Sequence, residues 1–316
     1  MRYSRQELII GKDGQEIIGK KTVGIVGLGA IGSVSAQILA RAGIKKLILI
    51  DRDVVELSNL QRQLLYKEED VGFPKAITAK KALKKINSEI IISSFAEDLN
   101  PKNIDLLKKA DIILDCTDNL ETRFLINDFC IKFSKLWIYA AGIATRGTIL
   151  SFSKDSPCFR CIFENSKSND TCETTGVLAS TTMIVGSLQA KIALDILLNK
   201  KVPSEMIWLD VETFNLQKIK VKKRNGCPAC NKNFEYLKGE KGSKTTKVCG
   251  KSTYQIRGEK KNLNELKKRL ERIDKVRGNS DFLIFRNISI FKDGRVLIKA
   301  DSEKEAKSIY SKYVGN

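Results

Sequence analysis

The apolar positions of this chain change period several times, and the changes predict its elements. Residues 22–27 (Thr-Val-Gly-Ile-Val-Gly) are a short apolar run closed by glycine, the pattern of a buried strand. Residues 30–42 carry apolar positions at helical spacing, and Lys46 to Asp51 is a second strand that ends in an acid. Lys75 to Asn87 predicts a helix rich in Ala and Lys, and Glu89 to Phe95 a β-branched strand. Asp111 to Asp115 is another strand, followed by a helix from Glu121 to about Ser134 and the strand Leu136 to Ala140. Strands alternating with helices predict an α/β fold, a mostly parallel sheet with helices on both faces.

After Gly142 the pattern changes. Thr148 to Ser153 predicts a strand, Ser156 to Thr175 a polar, Cys-bearing loop, and Thr182 to Leu198 a long amphipathic helix. Ile207–Asp210 and Leu216–Val221 predict an antiparallel hairpin. Residues 235–247 have the composition of a linker. Beyond them a short β-α-β-β-β-α pattern predicts a small α+β domain over 248–316: strands at Tyr254–Arg257, Phe282–Arg286, Ile288–Lys292 and Val296–Ala300, helices at Leu263–Ile273 and Ser302–Tyr313. The main body is then expected over 1–234.

Three clusters fall at the carboxyl ends of predicted strands, where open α/β sheets bind ligands. Gly27-x-Gly29-x-x-Gly32 sits between a strand and a helix. Such glycines permit a tight turn and close approach of backbone to an anion at a helix N-terminus, but they do not choose the nucleotide. Asp51 lies about 20 residues on, where a carboxylate binds ribose hydroxyls; a strand-end cap is the alternative. Asn59, Arg62 and Lys75 follow. Singly they are ordinary, Arg62 a surface ion pair and Lys75 a helix-start charge. Downstream of a ribose acid they are groups for polarised phosphates, which favours ATP as a reactant over NAD as a hydride carrier. Asp115-Cys-Thr-Asp118-Asn119 ends the fourth strand, and two carboxylates three apart suit magnesium. A helix N-cap at Asp118 or Asn119 is the competing reading. Arg123 and Asn127, one helical turn apart, are placed to steady the loop or the nucleotide.

Composition narrows the chemistry. The 316 residues are 42% hydrophobic, enough for a sizeable core. The net charge of +19 favours anionic partners. Lys is spread along the whole chain, however, and the densest block, Lys218 to Arg224, lacks interleaved aromatics, so nucleic-acid binding is not expected. There is no His, so neither a general base nor a metal ligand can be imidazole. Eight Cys without a signal-peptide pattern argue for metal or thiol chemistry over disulfides. Cys158-Phe-Arg-Cys161 and Cys227-Pro-Ala-Cys230 form two knuckles whose four thiolates suit a closed, structural zinc site. Its expected role is to pin the antiparallel hairpin region to the sheet; redox disulfides are the weaker reading. Cys172 stands alone in a polar loop, where a thiol is either reactive or inert. Cys116, Cys130 and Cys249 read as packing residues. No apolar run reaches the ~18 residues of a membrane span, so a soluble cytoplasmic protein is expected.

Taken in order, these motifs resemble the ThiF/MoeB/HesA family, relatives of the ubiquitin-activating enzymes. The matches are Arg2-Tyr-x-Arg5-Gln6, Gly27-x-Gly29-x-x-Gly32, Asp51-x-Asp53-x-Val55-Glu56-x-Ser58-Asn59-Leu60-x-Arg62-Gln63 and Val71-Gly72-x-x-Lys75-Ala76. They continue with Asp115-Cys-Thr-Asp118-Asn119-x-x-Thr122-Arg123, the two Cys pairs and Cys172-x-x-x-Gly176-Val177. The resemblance covers 1–234 and implies a Rossmann-like body that adenylates the C-terminal Gly-Gly carboxylate of a ubiquitin-like sulfur carrier, consuming ATP and Mg2+ and releasing pyrophosphate. It implies Asp51 on ribose, Asn59, Arg62 and Lys75 on phosphates and Asp118 on magnesium. It also implies Arg5 reaching into a neighbouring subunit's site, hence a homodimer. Ala30 departs from the glycine common in relatives. Cys172 corresponds to a Cys that joins the carrier tail as an acyl-persulfide in ThiF-like members and is dispensable in MoeB-like ones; a sulfur donor such as a cysteine desulfurase would then be a partner. Thiamine or molybdopterin synthesis is the implied setting. Activation of a ubiquitin-like protein for conjugation is the rival, and an NAD(P)-dependent oxidoreductase the distant one, with no use for Arg62, Lys75 and Asp118 together.

Overall fold

The buried runs of the first half become the inner strands of one sheet. In the computed structural model, residues 2–164, 175–202, 205–241 and 253–315 are described. Strands β1 (Thr22–Val26), β2 (Lys46–Ile50), β3 (Ile91–Phe95), β4 (Ile112–Asp115) and β5 (Leu136–Ile143) pair in the order β3-β2-β1-β4-β5, all parallel. Beyond β5 the sheet continues antiparallel through β6 (Arg146–Phe152), β7 (Met206–Asp210) and β8 (Asn215–Ile219). The order reverses between β1 and β4, and the helices that follow them leave from their carboxyl ends to opposite faces of the sheet. The crevice between them is the place such sheets offer a ligand.

Alternation along the strands divides the core in two. Ile112, Leu114, Ile138 and Ala140 point to one layer, with α2 (Ala30–Ala42), α3 (Lys75–Ile86) and α6 (Ala179–Leu197). Ile113, Trp137 and Tyr139 point to the other, with α4 (Leu120–Lys132) and the short α5 (Phe159–Phe163). Helix α4 is buried from Thr122 to Cys130, which is why its pattern reads as nearly continuous. Gly186 brings α6 close to α2: a Cβ there would lie 2.8 Å from the Ile31 carbonyl oxygen and from Val34 Cβ.

The structure adds to the predicted elements and corrects some. A helix the pattern does not announce, α1 (Ser4–Ile18), precedes β1 and is broken at Gly11, whose φ is 76°. Within the expected loop 156–175, α5 forms because Phe159 is fully buried among Phe124, Tyr139 and Phe163. The linker expected from residue 235 is packed in its first part. Tyr236 stacks on Phe124 at 4.9 Å, its N–H donates to Asp128 Oδ2 at 3.1 Å, and Leu237 joins the same core. Two apolar side chains in a Lys- and Gly-rich run outweigh its overall composition.

The chain divides into two compact units, 1–242 and 243–316. The second is a five-stranded antiparallel sheet of order β10-β11-β12-β13-β9, from β9 (Thr253–Arg257), β10 (Val276–Gly278), β11 (Phe282–Phe285), β12 (Ile288–Phe291) and β13 (Arg295–Lys299). Helices α7 (Leu263–Leu270) and α8 (Glu303–Tyr313) pack on one face through Leu266, Leu270, Ala306 and Tyr310. Strand β10 is the one the pattern misses. Among the described residues no helix is long and apolar enough to cross a membrane.

Gln189 of α6, fully buried, fastens that helix to the strand ends. Its Nε2 donates to the carbonyls of Asp115 (3.0 Å) and Ile138 (3.1 Å), and its Oε1 accepts from Cys116 Sγ at 3.1 Å. Gln189→Leu should lower stability by about 1–3 kcal/mol for each carbonyl left bare, read as a fall in the urea midpoint at unchanged slope. A midpoint equal to wild type would show that the amide is not what holds α6 there.

Candidate active site

The glycine turn after β1 is shaped by two close approaches. Gly27 has φ of +85°, and a Cβ there would meet the Cys116 carbonyl oxygen at 2.6 Å; one on Gly32 would meet the Gly27 carbonyl oxygen at 2.0 Å. Both positions therefore serve packing of the turn against the end of β4. Gly29 differs: a Cβ there would meet only Gln63 Nε2, at 3.7 Å. It leaves space rather than relieving a clash. The first turn of α2 begins at Ala30 and has no side-chain cap, so its free N–H groups face that space, as a phosphate requires. Ala30 takes an ordinary helical conformation at this position.

Asp51, at the end of β2, is 7% exposed and locks the turn from beneath. Its Oδ2 accepts from Leu28 N at 2.6 Å and its Oδ1 from Asp53 N at 2.7 Å. Burial, and then the neighbouring Asp53 charge, push its carboxyl up to about 6, with Lys75 opposing. Lys75 opens α3 with a side chain 8% exposed, its Nζ 3.4 Å from Asp53 Oδ2. Burial works against its charge, but Asp53, Asp51 and Asp118 outweigh burial and leave its pKa raised. Asp118, exposed at the end of β4, also acts on Arg52. Asp51, Lys75 and Asp118 are thus brought together at the β1–β4 crevice.

Other candidates lie around this centre. Asn59 is buried, and its Oδ1 accepts from Glu56 N at 3.2 Å. Arg62, half-buried, donates from Nη1 to the Ser58 carbonyl at 3.0 Å. Asn119 is the N-cap of α4, its Oδ1 accepting from Thr122 N at 2.8 Å. Arg5 is not near this centre. Gln6 donates to the Ala42 carbonyl and Arg2 to the Ile86 carbonyl, at the far ends of α2 and α3. Arg5 therefore sits at the opposite edge of the sheet from Asp51 and Asp118. Cys172 and Cys249 lie outside the described residues.

Two readings from the sequence need correction, and one, that of Arg123, narrows to one of its alternatives. Asp115 is not a second magnesium carboxylate. It is fully buried, its Oδ1 accepts from Thr117 N (2.9 Å) and Oγ1 (2.7 Å), and its Oδ2 is 3.5 Å from Arg123 Nε. Arg123 steadies the loop only: it donates to the Thr117 carbonyl and lies over the Tyr139 ring at 4.9 Å. Asn127 serves neither loop nor nucleotide, because its Oδ1 accepts from Phe159 N at 2.8 Å and so anchors α5. Tyr66 escapes the sequence reading altogether. Its hydroxyl donates to the Leu28 carbonyl at 2.8 Å, a long-range contact that no local pattern marks.

The four cysteines converge. Their sulfurs all lie within 4.8 Å of one another, with Cys158 3.6 Å from Cys227 and 3.5 Å from Cys230, and Cys161 3.5 Å from Cys230. A tetrahedron with metal–sulfur bonds of about 2.3 Å has edges of about 3.8 Å, so the set fits a thiophilic ion such as zinc. Arg160, between the first pair, is fully buried and ties this extension to the body. It reaches Glu164 (2.5 Å), Glu235 (2.7 Å) and Asp128 (3.9 Å) and lies over Tyr236.

Comparison with known proteins bears on the whole arrangement. Residues 3–229 match the ThiF family. The sulfur carrier protein ThiS adenylyltransferase of Bacillus subtilis is 34% identical over 333 aligned positions, covering 99% of each chain. The molybdopterin-synthase adenylyltransferase of Escherichia coli is 36% identical, covering 73% of this chain and 96% of its own. A crystal structure of Escherichia coli MccB with ATP superposes with a TM-score of 0.62 at 26% identity, covering 72% of this chain and 74% of that one. The chain belongs to the ThiF family.

Proposed function

We propose that this protein is an ATP-dependent adenylyltransferase that activates the C-terminal Gly-Gly carboxylate of a ubiquitin-like sulfur carrier. The observation that carries this reading is the strand-end crevice. The open space at Gly29, the uncapped α2 N-terminus, Lys75 and Asp118 meet there around Asp51. Relatives named as adenylyltransferases support the reaction, and alignment end to end with a ThiS adenylyltransferase favours a ThiS-like carrier over activation for conjugation.

In the reaction a carrier carboxylate oxygen bonds to the α-phosphorus of ATP. The bond from that phosphorus to the bridging oxygen breaks, and pyrophosphate leaves with the electron pair. The attacking carboxylate is already ionised at neutral pH, so no proton moves and no general base is required. That matches a chain without His. Asp51 holds the ribose, and Asn59, Arg62, Lys75 and the α2 N-terminus hold the phosphates, stabilising the charge that gathers on the leaving group. Asp118, an exposed carboxylate with two cations nearby, is the residue that would hold magnesium, which neutralises phosphate charge when bound. Asn119 supports Asp118 by capping α4. The zinc proposed at Cys158, Cys161, Cys227 and Cys230 is structural, since four thiolates leave no open position.

The placement of Arg5 supports a homodimer. It lies at the wrong edge of the sheet to serve its own site, and its neighbours on α1, Leu8 and Ile9, are 76% and 81% exposed. An apolar pair beside a cation suits a second copy, which would place Arg5 in the partner's crevice. Cys172 would first accept the outer sulfur of a desulfurase persulfide, leaving the donor as a thiol. The Cys172 persulfide would then attack the carrier's acyl-adenylate carbonyl; the bond from that carbon to the AMP oxygen would break and AMP would leave, giving the acyl-persulfide.

Three tests follow. ATP–pyrophosphate exchange should require a carrier with its terminal Gly-Gly, and Asp118→Ala should lower exchange by about 100-fold or more with fold and zinc retained; undiminished exchange in the variant would remove Asp118 from the site. Metal analysis should find one zinc per chain, and Cys227→Ser should abolish it and lower the melting temperature; full zinc in that variant would refute the four-thiolate site. Arg5→Ala and Asp118→Ala, each inactive, should on mixing recover about a quarter of wild-type exchange through mixed dimers with one intact site. No recovery from subunits shown to have exchanged would place Arg5 outside the partner's site.

A further inference from the structure

Asp53 stands in the acid run after β2, and no contact with nucleotide or metal is assigned to its carboxylate above. Its backbone is held from both sides: its N–H donates to Asp51 Oδ1 at 2.7 Å, and its carbonyl accepts from Lys75 N at 2.9 Å. The main-chain anchors leave the carboxylate little choice of place. It lies between two cations shielded from water, with Oδ2 3.4 Å from Lys75 Nζ and Oδ1 3.8 Å from Arg52 Nε. The Lys75 and Arg52 side chains are only 8% and 13% exposed. Oδ1 is buried and accepts no hydrogen bond.

The lengths matter. A tight ammonium–carboxylate bond runs about 2.7–2.9 Å. At 3.4 Å the Lys75–Asp53 pair is loose, and one carboxylate oxygen is unspent. A tight pair would compete with a triphosphate for the ammonium. No pair at all would leave a buried ammonium to lose its proton or turn out to water. Arg52 has a nearer anion in Asp98, at 3.2 Å, so Lys75 is the cation that would lose its closest partner with Asp53.

We propose that Asp53 is a positioning residue for Lys75: it holds the ammonium at the crevice in the absence of nucleotide and yields it to the phosphates when ATP binds. This rests on the adenylation reading above and extends it to a residue with no assigned role.

The test is a double-mutant cycle on ATP–pyrophosphate exchange in the full-length protein. Asp53→Asn should lower kcat by about 10- to 100-fold, the usual effect of removing a partner behind a working group, with a smaller change in KM for ATP. Added to Lys75→Met, it should cost nothing further. A second readout needs no catalysis: the pH dependence of Lys75 labelling by an amine-reactive reagent without nucleotide. The charged and titratable groups facing Lys75 are Asp51, Asp53 and Asp118, with Tyr66 against its backbone carbonyl and Arg52 on the other oxygen of Asp53. Removing the nearest negative charge makes the ammonium easier to deprotonate, so the labelling midpoint should fall. An equal loss of kcat in the Lys75→Met background, or an unmoved midpoint, would overturn the proposal. If Asp53→Asn does not fold, Asp53→Ser takes its place; failure of both would make Asp53 structural and overturn the proposal as well. Wild-type protein inactive in exchange would count against the adenylation reading, and the labelling midpoint would still decide this one.

Discussion

One buried carboxylate joins the two loops that frame the strand-end crevice. Asp51 accepts from Leu28 N on the glycine turn and from Asp53 N on its own loop, each within 2.7 Å. The turn after β1 and the acid run after β2 are therefore set against each other before any ligand arrives. Burying an acid in this way is costly unless its lone pairs are satisfied, and two backbone donors meet part of that cost. The residual strain appears in its protonation: burial and Asp53 push Asp51 to about 6, still largely ionised at neutral pH. The geometry of the crevice follows, because moving Leu28 or Asp53 would strip a buried anion of a donor.

The same carboxylate organises the charges around it. Asp51, Asp53 and Asp118 supply negative charge, and Lys75 and Arg52 supply positive charge, with Asp51, Lys75 and Arg52 largely shielded from water. The cations keep their charge because the acids are there, and the acids stay close because the backbone holds them. A phosphate entering such a site meets fixed cations and free N–H groups that need little reorganisation, which is where electrostatic catalysis gains most. The absence of His is consistent with this arrangement, since charge placement and not proton transfer is what the reaction needs.

What was legible in the sequence was whatever local pattern encodes. The inner strands are short apolar runs, the glycines mark a turn with φ above zero at Gly27, and two Cys-x2-Cys knuckles announce their own geometry. What was not legible depends on contacts between residues far apart in the chain. Asp115 and Asp118 look equivalent in sequence, yet one is sealed under Arg123 and Thr117 while the other stands in solvent. Asn127 shares a helix face with Arg123 but answers to Phe159, 32 residues on. Gln189 and Tyr66 hold the site from behind by hydrogen bonds to main-chain carbonyls, which no periodicity marks. Helix α1 leaves Leu8 and Ile9 exposed and buries Gly14, Gln15 and Ile18, so its apolar residues do not mark its packed face. The hydrophobic pattern therefore did not read as a helix packed on this chain alone.

The cysteine extension shows why the first unit needs more than its sheet. Strands β6 to β8 continue antiparallel, and β8 is exposed along its whole length, so this half of the sheet lacks the two helical layers that bury β1 and β4. Cys227 and Cys230 follow β8, Cys158 and Cys161 follow β6, and a shared ion would close the long connection between them. Arg160 completes the closure from the other side. It is fully buried and bound to Glu164 and Glu235, and Asp128, beside it on α4, is pushed up to about 6 by burial, with Arg160 opposing. A cation at 0% exposure is stable only if the carboxylates around it stay in place. An ion held by the four thiolates would fasten the same segments that the arginine fastens through carboxylates. The two fastenings together hold α5 and residues 235–237 against α4, the helix whose N-cap presents Asp118 to the crevice.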